Sequence, residues 1–130
     1  MVIKGDNFEV YEPKSSMVVG LLEAEAKDFF HSEEYKSLNG YADDLPGALA
    51  AVFARFLTRL TRSVSPERLS PYLSILEKLA DWHDAEVDDL LRDEVFWAIS
   101  LDPIGSEKLK SSMKGRLLEM YGDWQSEDDF

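Results

Sequence analysis

The sequence predicts an all-α fold: a single-domain helical bundle of about five helices in antiparallel hairpins, behind a short extended amino-terminal segment. Three observations carry this. Beyond the first fourteen residues the apolar side chains recur at helical rather than strand spacing. Capping and stop residues punctuate that pattern at short intervals, leaving connections that suit antiparallel neighbours. The chain has 130 residues, 45% of them hydrophobic, enough for one core and too few for two.

Residues 1–14 carry Val2, Ile3, Phe8, Val10 and Tyr11 around a Gly5-Asp6-Asn7 turn signal, a pattern open to a short hairpin or an extended lead-in. The first helix is expected from about Ser16 to Phe30, with Val18, Leu21, Leu22, Ala26 and Phe29 inward. His31 to Tyr35 starts a further short turn that Asn39-Gly40 ends. Asp44 is placed to cap the second helix, with Pro46 in its first turn. Leu45, Leu49, Val52, Phe53, Phe56 and Leu60 form its inward stripe, and Arg55, Arg59 and Arg62 a basic row along one flank. Ser65-Pro66 and Ser70-Pro71 are equally good starts for the third. Because proline is costly in a helix interior, the main helix is expected from Pro71 to Trp82. Asp84 caps the fourth, which ends near Ser100. After the breaks at Asp102-Pro103 and Gly105-Ser106, a fifth runs from about Ser106 to Tyr121, with Leu109, Met113, Leu117 and Met120 inward and Gly122 as its stop. Residues 123–130 read as an acidic mobile tail that Trp124 and Phe130 could anchor.

Composition narrows the function. Against 14 basic residues stand 26 acidic ones, a formal net charge of −12. Nucleic acids and anionic membranes both select a basic footprint, so neither is an expected partner. Cysteine is absent, which removes disulfides, thiolate zinc sites and cysteine nucleophiles together. No basic segment followed by an apolar stretch opens the chain, and no apolar run approaches the ~20 residues that span a bilayer, so a cytoplasmic protein is expected. The phosphate-loop, dinucleotide, nucleophile-elbow and HExxH patterns are missing. His31-x-x-Glu34 and His83-x-x-Glu86 have metal-compatible spacing, but two-ligand matches arise readily by chance. An EF-hand register from Asp84 puts Asp89 where glycine is needed and Val95 where the bidentate glutamate belongs. No catalytic residue, cofactor or metal is therefore expected.

The densest feature is Asp81 to Glu94, with seven carboxylates and one arginine. A solvated helix face is the plain reading of such a run. Its functional reading is a surface for a basic protein, in which Asp84, Glu86, Asp88, Asp89 and Asp93 supply charge while Trp82 and Phe96 supply apolar contact. On a straight helix Val87, Leu90, Leu91, Val95, Ala98 and Ile99 define one apolar face. Glu94 falls near its middle and requires a partner; the arginine row, Arg59 with Arg55, is the expected one, forming a buried structural ion pair. Phe96 falls on the polar side near Asp89 and Asp93, either as an interface anchor or packed beneath another element.

Three stretches, NGYADDLPGALAAVFARFLTRL, PYLSILEKLADWHDAEVDDLLRDEVFWAIS and SEKLKSSMKGRLLEMY, resemble the small all-helical bacterial immunity proteins of contact-dependent growth inhibition and related polymorphic toxin systems. The order of elements is also similar to that of a broader helical family with an F-x-x-F-L segment, here Phe53-Ala54-Arg55-Phe56-Leu57, and an E-V-x-x-L-L helix, here Glu86-Val87-Asp88-Asp89-Leu90-Leu91. The resemblance spans residues 39–122. It implies a protein of the toxin-producing cell that binds a cognate toxin C-terminal domain, basic and a nuclease, and occludes its active site or substrate cleft. It implies no catalytic residues. A monomer or weak homodimer would suffice. Two alternatives stay open: a small acidic helical adaptor or regulatory protein for another basic partner, and a carboxylate-rich metal-binding or enzymatic domain centred on Glu94, His83 and Glu86.

Overall fold

The computed structural model describes residues 14–38, 40 and 46–127. The amino-terminal lead-in, the Asp44 cap, Leu45 and the last three residues lie outside them. Among the described residues the fold is all-α, without strands. The elements are α1 (Lys14–Glu25), a 3-10 turn (Lys27–His31), α2 (Glu33–Lys36), α3 (Pro46–Leu60) and α4 (Pro66–Asp81). Then come α5 (Ala85–Leu90), a π-turn (Leu91–Phe96), α6 (Trp97–Ser100), α7 (Pro103–Ser112) and α8 (Gly115–Glu127).

The middle of the molecule is α3. Its sequence PGALAAVFARFLTRL is apolar over a broad face, with Arg55 and Arg59 exposed on the remaining side, and such a helix is stable only when that face is covered. Leu49, Ala50, Val52, Phe53, Ala54, Phe56, Leu57 and Thr58 are buried, covered by α1, α2, α4, the π-turn, α6 and α7. Aromatic rings gather in two groups. Phe29, Phe53 and Phe56 meet between the 3-10 turn and α3, with Phe29 and Phe53 edge-to-face at 5.2 Å. Phe96, Tyr121 and Trp124 join the π-turn to α8, with Phe96 and Tyr121 at 5.1 Å.

Several expected boundaries move, each for a local reason. The first helix stops at Glu25, because Ala26 leaves helical geometry (φ −126°, ψ 52°); the 3-10 turn then carries Phe29 into the core. Ser32 caps α2 by accepting the Tyr35 N–H at 3.2 Å. The third helix starts at Pro66 rather than Pro71. Ser65 accepts the Arg68 N–H, Pro66 stands where an N–H has no helical partner, and Pro71 forfeits one bond in the second turn. Burial of Leu69, Leu73 and Leu76 on either side of Pro71 outweighs that loss.

The fifth helix is two. Asp102 caps α7 by accepting the Gly105 N–H at 3.1 Å, so α7 opens at Pro103. The chain turns at Met113 (ψ 155°) and Gly115 (φ +65°), a left-handed position that glycine adopts without steric cost. Gly122 is no stop. α8 continues to Glu127, so residues 123–127 of the expected mobile tail are helical and Trp124 stacks on Tyr121 at 6.0 Å.

The π-turn decides which side chains of this stretch are buried. From Leu91 to Phe96 the backbone bonds i to i+5, accommodating one extra residue in the turn. On a straight helix Phe96 would lie about 180° from Val87, and the apolar positions 87, 91, 95, 96 and 99 would spread over half the circumference. The extra residue turns everything after it back by about 100°. Val87, Leu91, Val95, Phe96, Ala98 and Ile99 then all reach the core.

Candidate protein-binding surface

The acidic helix is built from its cap. Asp84 is extended (φ −106°, ψ 127°) and its Oδ1 accepts the N–H groups of Glu86 and Val87 at 3.0 and 3.1 Å, which satisfies two of the orphan donors of α5. His83, one residue earlier, has φ +53°. This left-handed residue makes the corner between α4 and α5.

The structure sorts the predicted contact residues into two groups. Asp88 belongs to the fold. It is 7% exposed and accepts two bonds from Arg116 of α8, at 3.0 and 2.8 Å, while the same guanidinium donates to the Ala80 carbonyl at the end of α4. Hydrogen bonding to Arg116 is the largest cause holding the Asp88 carboxyl below its ordinary range, against the opposing effect of burial; Arg116 and Arg92 add attraction. Asp88 is a tie between α5, α8 and α4, not a contact for a partner.

Phe96 is the second correction. It is wholly buried between Tyr121 and Trp124, because the π-turn rotates it off the polar side. It cannot anchor an interface.

Glu94 and the arginines are the third. Glu94 is half-buried beside the first turn of α3: a Cβ placed on Gly47 would sit 3.4 Å from its carboxylate carbon and Oε2. That puts its charge at the positive end of a helix. Arg55 and Arg59 lie eight and twelve residues further along α3, about 12 and 18 Å away. Arg59 instead makes a double bond pair with Glu34, at 2.7 and 3.1 Å. Arg59 is the strongest influence lowering the Glu34 carboxyl, although burial pushes the other way more strongly than any single favourable contact. Arg62 pairs with Asp102 at the head of α7. The basic row therefore clips α2 and the α6–α7 corner to α3.

What remains at the surface is a ridge. Glu86, Asp89 and Asp93 are exposed; Asp89 makes only a long contact of 3.4 Å to Arg92, with its side chain 73% exposed. Trp82, also predicted, is exposed at the carboxyl end of α4. Beyond Asp93 the ridge changes character. Trp97, Leu101 and Ile104 are 54%, 60% and 63% exposed, the three most exposed large apolar side chains among the described residues. Sequence reasoning missed them. A signal was present: Val95 to Ile99 is apolar without interruption, and a helix flanked by one core cannot bury five consecutive residues.

The ridge is backed by contacts to the rest of the fold. Behind it are the Asp88–Arg116 tie, the π-turn packed on α3, and the Arg62–Asp102 pair. Gly105 is buried so closely that an added Cβ would meet Asp102 Oδ2 at 2.7 Å and Thr58 Cβ at 3.0 Å. Among the described residues no group of three or more histidine, aspartate or glutamate side chains is arranged to hold a metal ion, and no helix is long and apolar enough to cross a membrane. No known protein family, curated protein or solved structure matches the chain.

Proposed function

We propose that this protein is a binding module that docks a basic protein domain and neutralises it, and that the partner is the C-terminal toxin domain implied by the resemblance to immunity proteins. The observation that carries the reading is the exposed row of Asp89 and Asp93 on a helix whose inner side is fixed to α3 and α8. Fixed carboxylates meet a basic cleft without a large ordering cost, and a chain of net charge −12 steers the encounter at low salt. A nuclease cleft, built to receive phosphates, presents the complementary field. Occlusion of that cleft requires neither a cofactor nor a catalytic group on this chain.

Growth rescue tests it. The C-terminal domain encoded immediately upstream is induced with and without this protein. Restored growth that is lost in the Asp89→Lys, Asp93→Lys double variant, with helical circular dichroism unchanged, is the expected result. A toxic domain that this protein fails to neutralise while abundant would sink the toxin assignment and favour the adaptor alternative, which uses the same surface for another basic partner.

A further inference from the structure

We propose that Trp97, Leu101 and Ile104 are the apolar anchor of the docking surface, and that its occupant is a basic protein face with an apolar recess among its cations. The proposal rests on the reading that the chain docks a basic domain, and it names the part of the ridge that holds the partner.

Three exposed large apolar side chains within eight positions form the concentration that single surface apolars do not. Trp97 and Leu101 are one helical step apart, so they share a face. Ile104 follows in the first turn of α7, and Arg62, just past the end of α3, pairs with Asp102 at that corner. A rigid exposed indole is the residue type most favoured as an interface anchor, with little rotamer entropy to lose on binding, and Leu101 and Ile104 extend its apolar area.

Charge selects the occupant. Asp93 lies within the π-turn and Asp89 just before it, both exposed; the extra residue turns Trp97 back by about 100°, to within about 20° of Asp89 around the helix axis. From Asp89 to Leu101 the ridge is about 18 Å long, which fits within one face of an ordinary interface. An anionic bilayer would be repelled by these carboxylates. A second copy carries the same net charge of −12, so its approach to this acidic ridge is opposed by repulsion between like-charged chains. A basic protein satisfies both halves of the ridge.

The test uses the full chain and a Trp97→Ala, Leu101→Ala variant, with Met17→Ala, another exposed apolar position, as control. Binding to the upstream-encoded domain is measured by calorimetry. The expected result is a loss of at least about 30-fold for the double variant, none for Met17→Ala, and unchanged thermal unfolding for both. A double variant that binds within about threefold of wild type overturns the anchor and leaves the neutralisation reading standing. Wild type that fails to bind the domain overturns that reading instead. A synthetic amphipathic helix of lysine and leucine, compared with a lysine–glutamine peptide of equal charge, then decides the anchor. Tighter binding of the leucine peptide, lost in the double variant, upholds it; equal binding overturns it. A concentration-dependent dimer in sedimentation that the double variant dissolves would assign the surface to a second copy and overturn the proposal.

Discussion

Replacing Asp88 by asparagine removes the charge that faces Arg116 while keeping the size of the side chain. Charge-assisted hydrogen bonds contribute about 1.5–3 kcal/mol each when one partner is lost. Asp88→Asn is therefore expected to lower unfolding free energy by about 2 kcal/mol in urea titration, and a change below about 0.5 kcal/mol would contradict the tie between α5 and α8. His83 offers the opposite experiment. Its left-handed backbone (φ +53°) is unfavourable for a residue with a Cβ by about 1 kcal/mol, so His83→Gly should raise the melting temperature slightly, whereas His83→Val should depress it. The sequence states that residues 81–94 are acidic but does not state which carboxylates are occupied. Asp84 is recognisable as a cap because capping is local. Asp88 is indistinguishable from Asp89 until Arg116, 28 residues away, is placed beside it.

At the scale of the element, the π-turn makes a prediction about chain length. Removing one residue at Arg92 turns the apolar positions into i, i+4, i+7, i+8 and i+11, an ordinary α-helical set. That deletion should fold cooperatively with Phe96 still buried. Inserting an alanine at the same point would throw Val95, Phe96 and Ile99 about another 100° round and should abolish cooperative melting. Failure of the deletion variant to fold would mean that the π geometry itself is required. The corner that follows depends on Gly105. Given contacts of 2.7 and 3.0 Å for an added Cβ, Gly105→Ala should cost about 1–3 kcal/mol by overpacking. Capped, periodic elements such as α3 are legible in the sequence. The π-turn is not, because it leaves no residue signature beyond an overlong apolar run; the division at Gly115 leaves one, a glycine amid helical spacing. The π-turn buries Phe96 and leaves Trp97 exposed, which is why the candidate site shifts toward α7.

For the whole molecule, pH and salt act in known directions. Burial raises the Glu77 carboxyl above its ordinary 4.5, and one of its oxygens is buried without a hydrogen-bond partner among the described residues. A group raised on folding contributes stability that is complete below its unfolded value and lost as pH rises through its folded value. Asp88 and Glu34 are lowered, so their contribution is complete above their unfolded values and lost as pH falls through the folded ones. Together with the relief of self-repulsion at net charge −12, this places maximum stability in mild acid, just above the range where Asp88 and Glu34 titrate. Melting temperatures between pH 3 and 8 check it: a maximum at pH 8 would contradict the assignment, and the gain on moderate acidification should shrink in Glu77→Gln. Added salt at neutral pH should stabilise the free protein by screening while weakening its complex with a basic partner. The fold class and the acidic character are both readable in composition and periodicity. The apolar half of the ridge depends on a single extra residue in one turn, which composition does not record.

The Lys114–Gly115 junction has one more consequence. Both residues are exposed, Gly115 is left-handed, and α8 beyond it is held by the Asp88–Arg116 pair and the Phe96–Tyr121–Trp124 rings. The chain is thus divisible there into two pieces, 1–114 and 115–130, which should reassemble when mixed. Every ridge residue lies on the first piece, while Arg116, Tyr121 and Trp124, which back it, lie on the second. The split therefore makes a two-component switch in which the short piece braces a surface carried wholly by the long one.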